Sequence, residues 1–261
     1  GAAAGANGRR VRGRAGGGSG GPQQMLAQDP LRSHQYAGFE DAYRGAEDDI
    51  REGLREYVGR FAGASDVLDV GCGRGEFLEL LRDHGIGARG IDLNVEMVAR
   101  CRAKGLDVVA ADALSYLAQL PDASLGGLVA TQVVEHLQPD DLMRFLELAA
   151  RRLRPGAAIV LETINPACWS AFFESYIRDL THVRPVHPDT LRYLLVASGF
   201  AETEIVWRSP YPDEGKLQRV GGAGQDVGKA RQEARPLGRQ LRQAGDDPAD
   251  RLSVPGDRSR R

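Results

Sequence analysis

The chain has 261 residues, of which 42% are hydrophobic and 27% charged, so it can bury the core of one large or two small globular domains. Its formal net charge of −2 gives no global field that would attract nucleic acid or an anionic membrane. The three cysteines form no Cys-x-x-Cys pair, so we predict a reducing, cytoplasmic setting and no metal site. No apolar run approaches the roughly 20 residues of a transmembrane helix; peripheral membrane association and the oligomeric state stay open.

The first 24 residues are mostly Gly, Ala and Arg, so residues 1–30 are predicted to be disordered. Met25 is the first methionine, and our hypothesis is that the preceding residues come from a mis-called translation start. Between Tyr36 and Phe61 the apolar residues follow a helical period. Phe39, Tyr43 and Arg44 could reach over a ligand from there, although a helix that simply packs against the sheet is the competing interpretation.

Residues 67–75 carry the strongest signal in the chain. Val67, Leu68 and Val70 indicate a buried strand, a glycine-rich turn follows, and residues 76–82 have helical spacing. Such a turn lets backbone approach a ligand closely and directs helix N–H groups at it. Asp69 lies inside the strand, where a carboxylate is costly unless it has a function.

Strands and helices alternate after this motif. The predicted strands are residues 88–92, 106–110, 125–134 and 157–161, and the predicted helices are residues 95–104, 115–120 and 140–153. This order predicts an α/β fold, a doubly wound, mostly parallel sheet with helices on both faces. The carboxyl ends of the strands then share one edge, at or near which six polar residues fall: Asp69, Asp92, Asp112, Glu135, His136 and Glu162. Asp92 stands 21 positions after Gly71, a spacing that suits a ribose hydroxyl.

Residues 163–190 interrupt the alternation with an aromatic-rich insertion, which we expect to build an acceptor pocket or lid. A helix at residues 189–198 and a sixth strand at residues 202–208 follow. Residues 211–261 contain no strand-like run and are predicted to be irregular or disordered.

The run Asp69-x-Gly-x-Gly-x-Gly, followed by Asp92 and Asp112, resembles the class I S-adenosylmethionine-dependent methyltransferases over residues 36–210. The resemblance implies S-adenosyl-L-methionine as cofactor, with the glycine turn at its methionine part, Asp92 at the ribose and Asp112 with Ala113 at the adenine. Asp69 would orient the turn and the methionyl ammonium, directly or through water. The predicted cofactor contacts are Arg44, Asp69, Gly71, Cys72, Gly73, Gly75, Asp92, Leu93, Asp112, Ala113 and Gln132.

Two alternatives remain open. A nicotinamide-dependent oxidoreductase would need Gly-x-Gly-x-x-Gly, but Glu76 occupies the position of the third glycine. The other alternative is a methyltransferase fold that binds the cofactor without turnover. In the family, the last strand in sequence is a seventh strand, which lies between the fifth and sixth strands of the sheet. Nothing after Trp207 can supply this strand. Our hypothesis for this absence is a frameshift near residues 213–225.

Four further segments resemble a bacterial subgroup described as O-antigen or polysaccharide methyltransferases. They are Phe39-Glu-Asp-Ala-Tyr-Arg-Gly, Gln132-Val-Val-Glu-His-Leu, Leu161-Glu-Thr-Ile-Asn-Pro and Thr181-His-Val-Arg-Pro. The subgroup implies a hydroxyl of a sugar, glycan or other small molecule as the methyl acceptor. A hydroxyl must lose its proton, and imidazole is the usual base near neutral pH.

His136 and His182 are therefore the candidate bases, with Glu135 and Glu162 positioned to orient a base or hold the acceptor. A lone histidine is more often a structural hydrogen-bonding group, so the structural interpretation stays open for both. The Glu-His pair is also similar to quinone-biosynthesis O-methyltransferases, where Glu-x-x-Glu-His is associated with a divalent metal. Gln132 replaces the first glutamate here and is a weaker ligand for a hard cation, so no metal is predicted.

Overall fold

The computed structural model describes residues 30–210; the predicted disordered segments, residues 1–29 and 211–261, lie outside the described residues. The helices are α1 (Pro30–Tyr43), α2 (Glu47–Val58), α3 (Glu76–Asp83), α4 (Val95–Ala103), α5 (Ala113–Gln119), α6 (Pro139–Arg152) and α7 (Pro188–Ala197). The strands are β1 (Val67–Val70), β2 (Ala88–Asp92), β3 (Val108–Ala110), β4 (Leu125–Thr131) and β5 (Leu153–Glu162). Short 3₁₀ helices occupy Gly59–Phe61 and Val134–His136, and a π-helix spans Ala171–Tyr176.

The five strands form one parallel sheet in the order β3-β2-β1-β4-β5. The chain runs outward from β1 through β2 to β3, and then crosses back to place β4 on the other side of β1. Such a reversal of strand order opens a crevice at the carboxyl ends of β1 and β4, where doubly wound sheets bind ligands. The predicted α/β fold class is confirmed.

Alternation along β1 divides the core into two layers. Leu68 faces a cluster that contains Phe145 of α6, whereas Val67 faces a second cluster that contains Phe61 and Phe77. Asp69 shares the face of Val67 and is 3% exposed. The sheet is therefore covered on both faces, as its near-continuous apolar strands require.

Two predicted elements are divided in the structure. The helix predicted over residues 36–61 is two helices, because Gly45 between them has φ +100°, which a right-handed helix cannot contain. The strand predicted over residues 125–134 ends at Thr131, because Gln132 adopts φ +57° and turns the chain into the 3₁₀ helix.

The sixth strand predicted over residues 202–208 is wrong: this segment is irregular in the structure. Within the described residues β5 pairs with β4 alone, and no seventh strand lies beside it. One edge of β5 therefore stays unpaired within residues 30–210, and residues 202–208 do not pair with it. The side chains of Val206 and Trp207 are accordingly more than half exposed.

None of the helices within residues 30–210 combines the length and the apolar character needed to cross a membrane.

Candidate functional site

A cavity of about 610 Å³ opens at the carboxyl edge of the sheet, a volume typical of small-molecule sites. Ten of the predicted site residues line it: Arg44, Gly71, Asp92, Leu93, Asp112, Ala113, Gln132, His136, Glu162 and His182. The other five do not reach its wall: Asp69, Cys72, Gly73, Gly75 and Glu135.

The glycine turn owes its shape to backbone conformations that favour glycine. Gly71, Gly73 and Gly75 have φ of +68°, +53° and +87°. A Cβ atom on Gly71 would lie 2.6 Å from Cγ2 of Val133, so the loop after β4 packs directly on the turn. The Gly71 N–H donates to the Ile91 carbonyl at 2.8 Å, which ties the turn to β2.

Asp92, at the end of β2, connects the glycine turn to the next helix. Its Oδ2 accepts a hydrogen bond from the Gly73 N–H at 2.9 Å, and its Oδ1 accepts one from the Asn94 N–H at 2.7 Å. Burial raises the pKa of this carboxyl, while the two backbone donors lower it. Each carboxylate oxygen can accept a further bond, so the group can still receive ligand hydroxyls.

Asp112 lies at the corresponding place after β3. Its Oδ1 accepts from the Ser115 N–H at 2.9 Å and caps α5. Ala113 and Leu93 line the cavity beside it and supply apolar surface for a flat ring.

Buried charges lie close to the turn. Burial raises the pKa of Asp69 to about 8, and the charge of Arg44 opposes this effect. The Arg44 guanidinium lies 3.9 Å from the Glu76 carboxylate, which also accepts from Arg74 Nε at 2.7 Å. Asp69 does not reach the cavity wall, so the structure does not place it on the ligand-facing surface.

Glu162 lines the cavity but is already engaged. It accepts hydrogen bonds from Tyr57, from Arg208 and, at 3.1 Å, from Gln132 Nε2. The Arg208 guanidinium stacks 4.5 Å from the centre of the Tyr57 ring. Glu162 and Gln132 therefore join the end of β5 to α2 and to the segment after α7.

Glu135 is fully buried beside the cavity. Burial raises the pKa of this group to about 7, and the Thr163 hydroxyl beside it opposes that shift. Its backbone carbonyl accepts from the Val183 N–H at 2.9 Å, which anchors the insertion of residues 163–187 to the 3₁₀ helix. This anchor brings His136 and His182 together, with ring centres 4.6 Å apart.

Hydrogen bonds fix the proton position on His136. The Thr181 hydroxyl donates its single proton to Asp179 Oδ1 at 2.7 Å, so it accepts from His136 Nδ1 at 2.9 Å. The proton of the neutral ring is thus assigned to Nδ1, and Nε2 keeps its lone pair. Burial, and then the nearby His182, lower the pKa of His136, so its ring is neutral at physiological pH.

His182 is fixed in the same tautomer. Its Nδ1 donates to the Tyr176 carbonyl at 2.6 Å, and its ring stacks on that of Tyr176 with centres 4.5 Å apart. Its Nε2 lies 4.0 Å from Asp179 Oδ2. A protonated His182 would therefore have a carboxylate beside it.

Sequence reasoning missed four residues of this site: Asn94, Arg178, Asp179 and Thr181. Arg178, on the cavity wall, stacks 5.0 Å from the centre of the Tyr43 ring. The signal for Asp179 and Thr181 was their place in a short polar run beside His182 in an otherwise aromatic insertion.

The family model of the methionine biosynthesis protein MetW matches residues 51–170. A probable S-adenosylmethionine-dependent methyltransferase of Mycobacterium tuberculosis is 32% identical over 142 residues, which are 54% of this chain and 51% of that protein. This chain therefore spans about half the length of that relative. A ubiquinone biosynthesis O-methyltransferase of Sinorhizobium medicae is 30% identical over 196 residues, 65% of this chain and 77% of that protein.

Among solved structures, an S-adenosylmethionine-dependent methyltransferase from Archaeoglobus fulgidus is 39% identical, with a TM-score of 0.67. The match covers 71% of this chain and 83% of that one. The chain belongs to the class I S-adenosylmethionine-dependent methyltransferases. The resemblance to that class is confirmed, whereas the names of these relatives do not mention O-antigen or polysaccharide.

The cofactor of this methyltransferase family is S-adenosyl-L-methionine, and the residues present fit it. The cavity wall carries Asp92, Asp112 and Asp179, which suit a cationic sulfonium and ammonium, and also Arg44 and Arg178, which suit a carboxylate. The carboxylate of Asp92 suits a pair of ribose hydroxyls, and Gly71, which has no side chain, lines the same cavity.

Proposed function

We propose that this methyltransferase transfers the methyl group of S-adenosyl-L-methionine to a hydroxyl oxygen of a small-molecule acceptor. The observation that carries the proposal is the pair of imidazoles, His136 and His182, each with an unprotonated Nε2, on the wall of the cavity that also carries Asp92. These groups lie on opposite sides of β1, one at the end of β2 and the others beyond β4.

On the cofactor side, the proposed contacts are Asp92 with the ribose, Asp112 and Ala113 with the adenine, and the turn at Gly71 with the methionine part. The bound cofactor supplies an electrophilic methyl group. Asp69, Cys72, Gly73 and Gly75 act through the shape of the turn, since they do not reach the cavity wall.

On the acceptor side, His182 is the proposed base. Its Nε2 takes the hydroxyl proton, and the Asp179 carboxylate 4.0 Å away stabilises the resulting imidazolium. Burial lowers the pKa of His136, so we assign this residue a hydrogen bond to the acceptor and not the removal of its proton. Glu135 supports this arrangement through its backbone carbonyl, and Glu162 supports it through its carboxylate.

The acceptor atom is supported by the relatives named ubiquinone biosynthesis O-methyltransferases. A sugar or glycan hydroxyl, which the sequence resemblance implies, is the second acceptor class. Methyl transfer in the cytoplasm, without nucleic acid as partner, remains part of the proposal.

The test is production of S-adenosylhomocysteine from S-adenosylmethionine in an acceptor screen. The screen pairs polyhydroxylated aromatic compounds with sugar nucleotides and glycans, and His182→Ala serves as the inactive control. Turnover that depends on an acceptor hydroxyl is expected. Cofactor binding without turnover on any acceptor would contradict the proposed activity, and absence of cofactor binding would contradict the site itself.

A further inference from the structure

His136, Asp179 and His182 form a cluster that the methyl-transfer proposal uses only in part. One ligand atom from each residue lies within 4.8 Å of the other two, and the His182 Nε2 to Asp179 Oδ2 distance is 4.0 Å. All three side chains are largely buried and line the cavity. Ligands of a tetrahedral ion at about 2.0–2.2 Å are separated by roughly 3.3 Å, so side-chain shifts of about 1 Å would close the cluster around a cation.

We propose that His136, Asp179 and His182 form a binding site for one divalent transition-metal ion such as Zn²⁺. Two imidazoles and one carboxylate are the donor set of metal sites that keep further coordination positions open. Those open positions face the cavity, since all three residues line it.

The hydrogen bonds behind the three side chains support this site independently of their spacing. Histidines that bind metal through one ring nitrogen donate the other N–H to an oxygen acceptor, which fixes the ring and its tautomer. His136 does so to the Thr181 hydroxyl, and His182 does so to the Tyr176 carbonyl. Asp179 Oδ1 accepts from both the N–H and the hydroxyl of Thr181, at 2.8 and 2.7 Å.

The ligand set differs from the Glu-x-x-Glu-His arrangement considered from the sequence. The Gln132 amide donates to Glu162, and Glu135 does not reach the cavity wall. In the proposed site the other two ligands are instead Asp179 and His182 from the insertion.

The proposed ion and the proposed base compete for the same lone pairs. An imidazole that coordinates metal cannot accept a proton, so Zn²⁺ is expected to inhibit methyl transfer and a chelator to restore it. This consequence rests on the proposed function, whereas metal binding itself does not.

The test is calorimetric titration of the full chain with Zn²⁺ after removal of bound metal by a chelator and dialysis. The background is Cys168→Ser, which removes the most accessible thiol as a competing ligand. Binding of one ion per chain is expected, with affinity at least tenfold lower in His182→Ala and Asp179→Asn. His34→Ala, which removes an exposed histidine outside the cavity wall, is the matched control and should bind Zn²⁺ unchanged.

Titration of each variant with S-adenosylmethionine separates loss of the metal site from loss of the fold. Weak Zn²⁺ binding with normal cofactor binding supports the site. Absence of saturable binding to the unsubstituted cluster, or equal Zn²⁺ affinity in His182→Ala and in His34→Ala, would overturn the proposal whether or not any acceptor is ever methylated.

Discussion

The cofactor half and the acceptor half of the cavity are built in different ways. In the cofactor half, a glycine turn and the ends of β1, β2 and β3 place backbone and single carboxylates at fixed positions along the sheet edge. In the acceptor half, the cluster of His136, Asp179 and His182 comes from a 3₁₀ helix and a loop joined by hydrogen bonds. In the proposed site, sheet topology thus positions the cofactor contacts, and side-chain contacts within an insertion position the histidines beside them.

The sharpest test of this division is His182→Ala. Removing a general base typically costs 10²–10⁴ in rate, so turnover should fall by about that factor while S-adenosylmethionine affinity stays within about threefold. Steady-state kinetics measure turnover, which reports on the acceptor half, and titration measures S-adenosylmethionine affinity, which reports on the cofactor half. Equal losses of cofactor affinity and of turnover would mean that the two halves are not separable.

Gly71→Ala tests the glycine turn of the cofactor half. The substitution forces alanine into φ +68° and places its Cβ 2.6 Å from Val133, so we expect a loss of about 2–5 kcal/mol in unfolding free energy. Gly85→Ala is the matched control, because its φ of +70° is within 2° of that of Gly71 but a Cβ there meets nothing within 4 Å. Chemical denaturation gives the unfolding free energy of both variants, and the difference between their losses measures the contact with Val133. Equal losses of unfolding free energy would show that Val133 does not constrain the turn.

Glu135→Gln probes the buried charge at the boundary of the two halves. Burial raises the folded-state pKa of Glu135 to about 7 from its usual value of 4.5. The folded state therefore holds the proton more tightly, and the wild type loses stability relative to Glu135→Gln as the pH rises from about 4.5 to 7. The full shift corresponds to about 3 kcal/mol. Unfolding free energies of both proteins across this range measure it, and a pH-independent difference would contradict the assigned pKa.

Asp92→Asn tests the carboxylate at the end of β2. Loss of a charged acceptor costs about 1.5–3 kcal/mol, so cofactor affinity should fall about 10- to 150-fold. Asp107→Asn is the control, since that side chain is exposed at the opposite end of β3. Calorimetric titration compares the two, and unchanged affinity in Asp92→Asn would remove Asp92 from the binding site.

Sequence periodicity was sufficient for the five strands of the parallel sheet and for the residues that share its carboxyl edge. The carboxyl ends of parallel strands must share one edge, so Asp92, Asp112 and Gly71 could be placed together before any coordinates were known. The sixth strand was predicted wrongly at residues 202–208, because an apolar run alone does not reveal whether a neighbouring strand is present to pair with it.

The acceptor half could be predicted only in part. His136 and His182 were chosen for their chemistry, but the roles of Asp179 and Thr181 depend on how the insertion folds back over the 3₁₀ helix. Such contacts join residues 45 positions apart through side chains in irregular backbone, and no periodic pattern encodes them. Glu162 showed the converse: its position was foreseen, but its engagement by Tyr57 and Arg208 was not.

A crystal structure of the full chain with S-adenosylhomocysteine tests the central claim most directly. We expect the ribose hydroxyls on Asp92, the adenine beside Asp112 and Ala113, and the sulfur facing the Nε2 atoms of His136 and His182. A ligand bound elsewhere, or bound with its sulfur directed away from the two histidines, would contradict it.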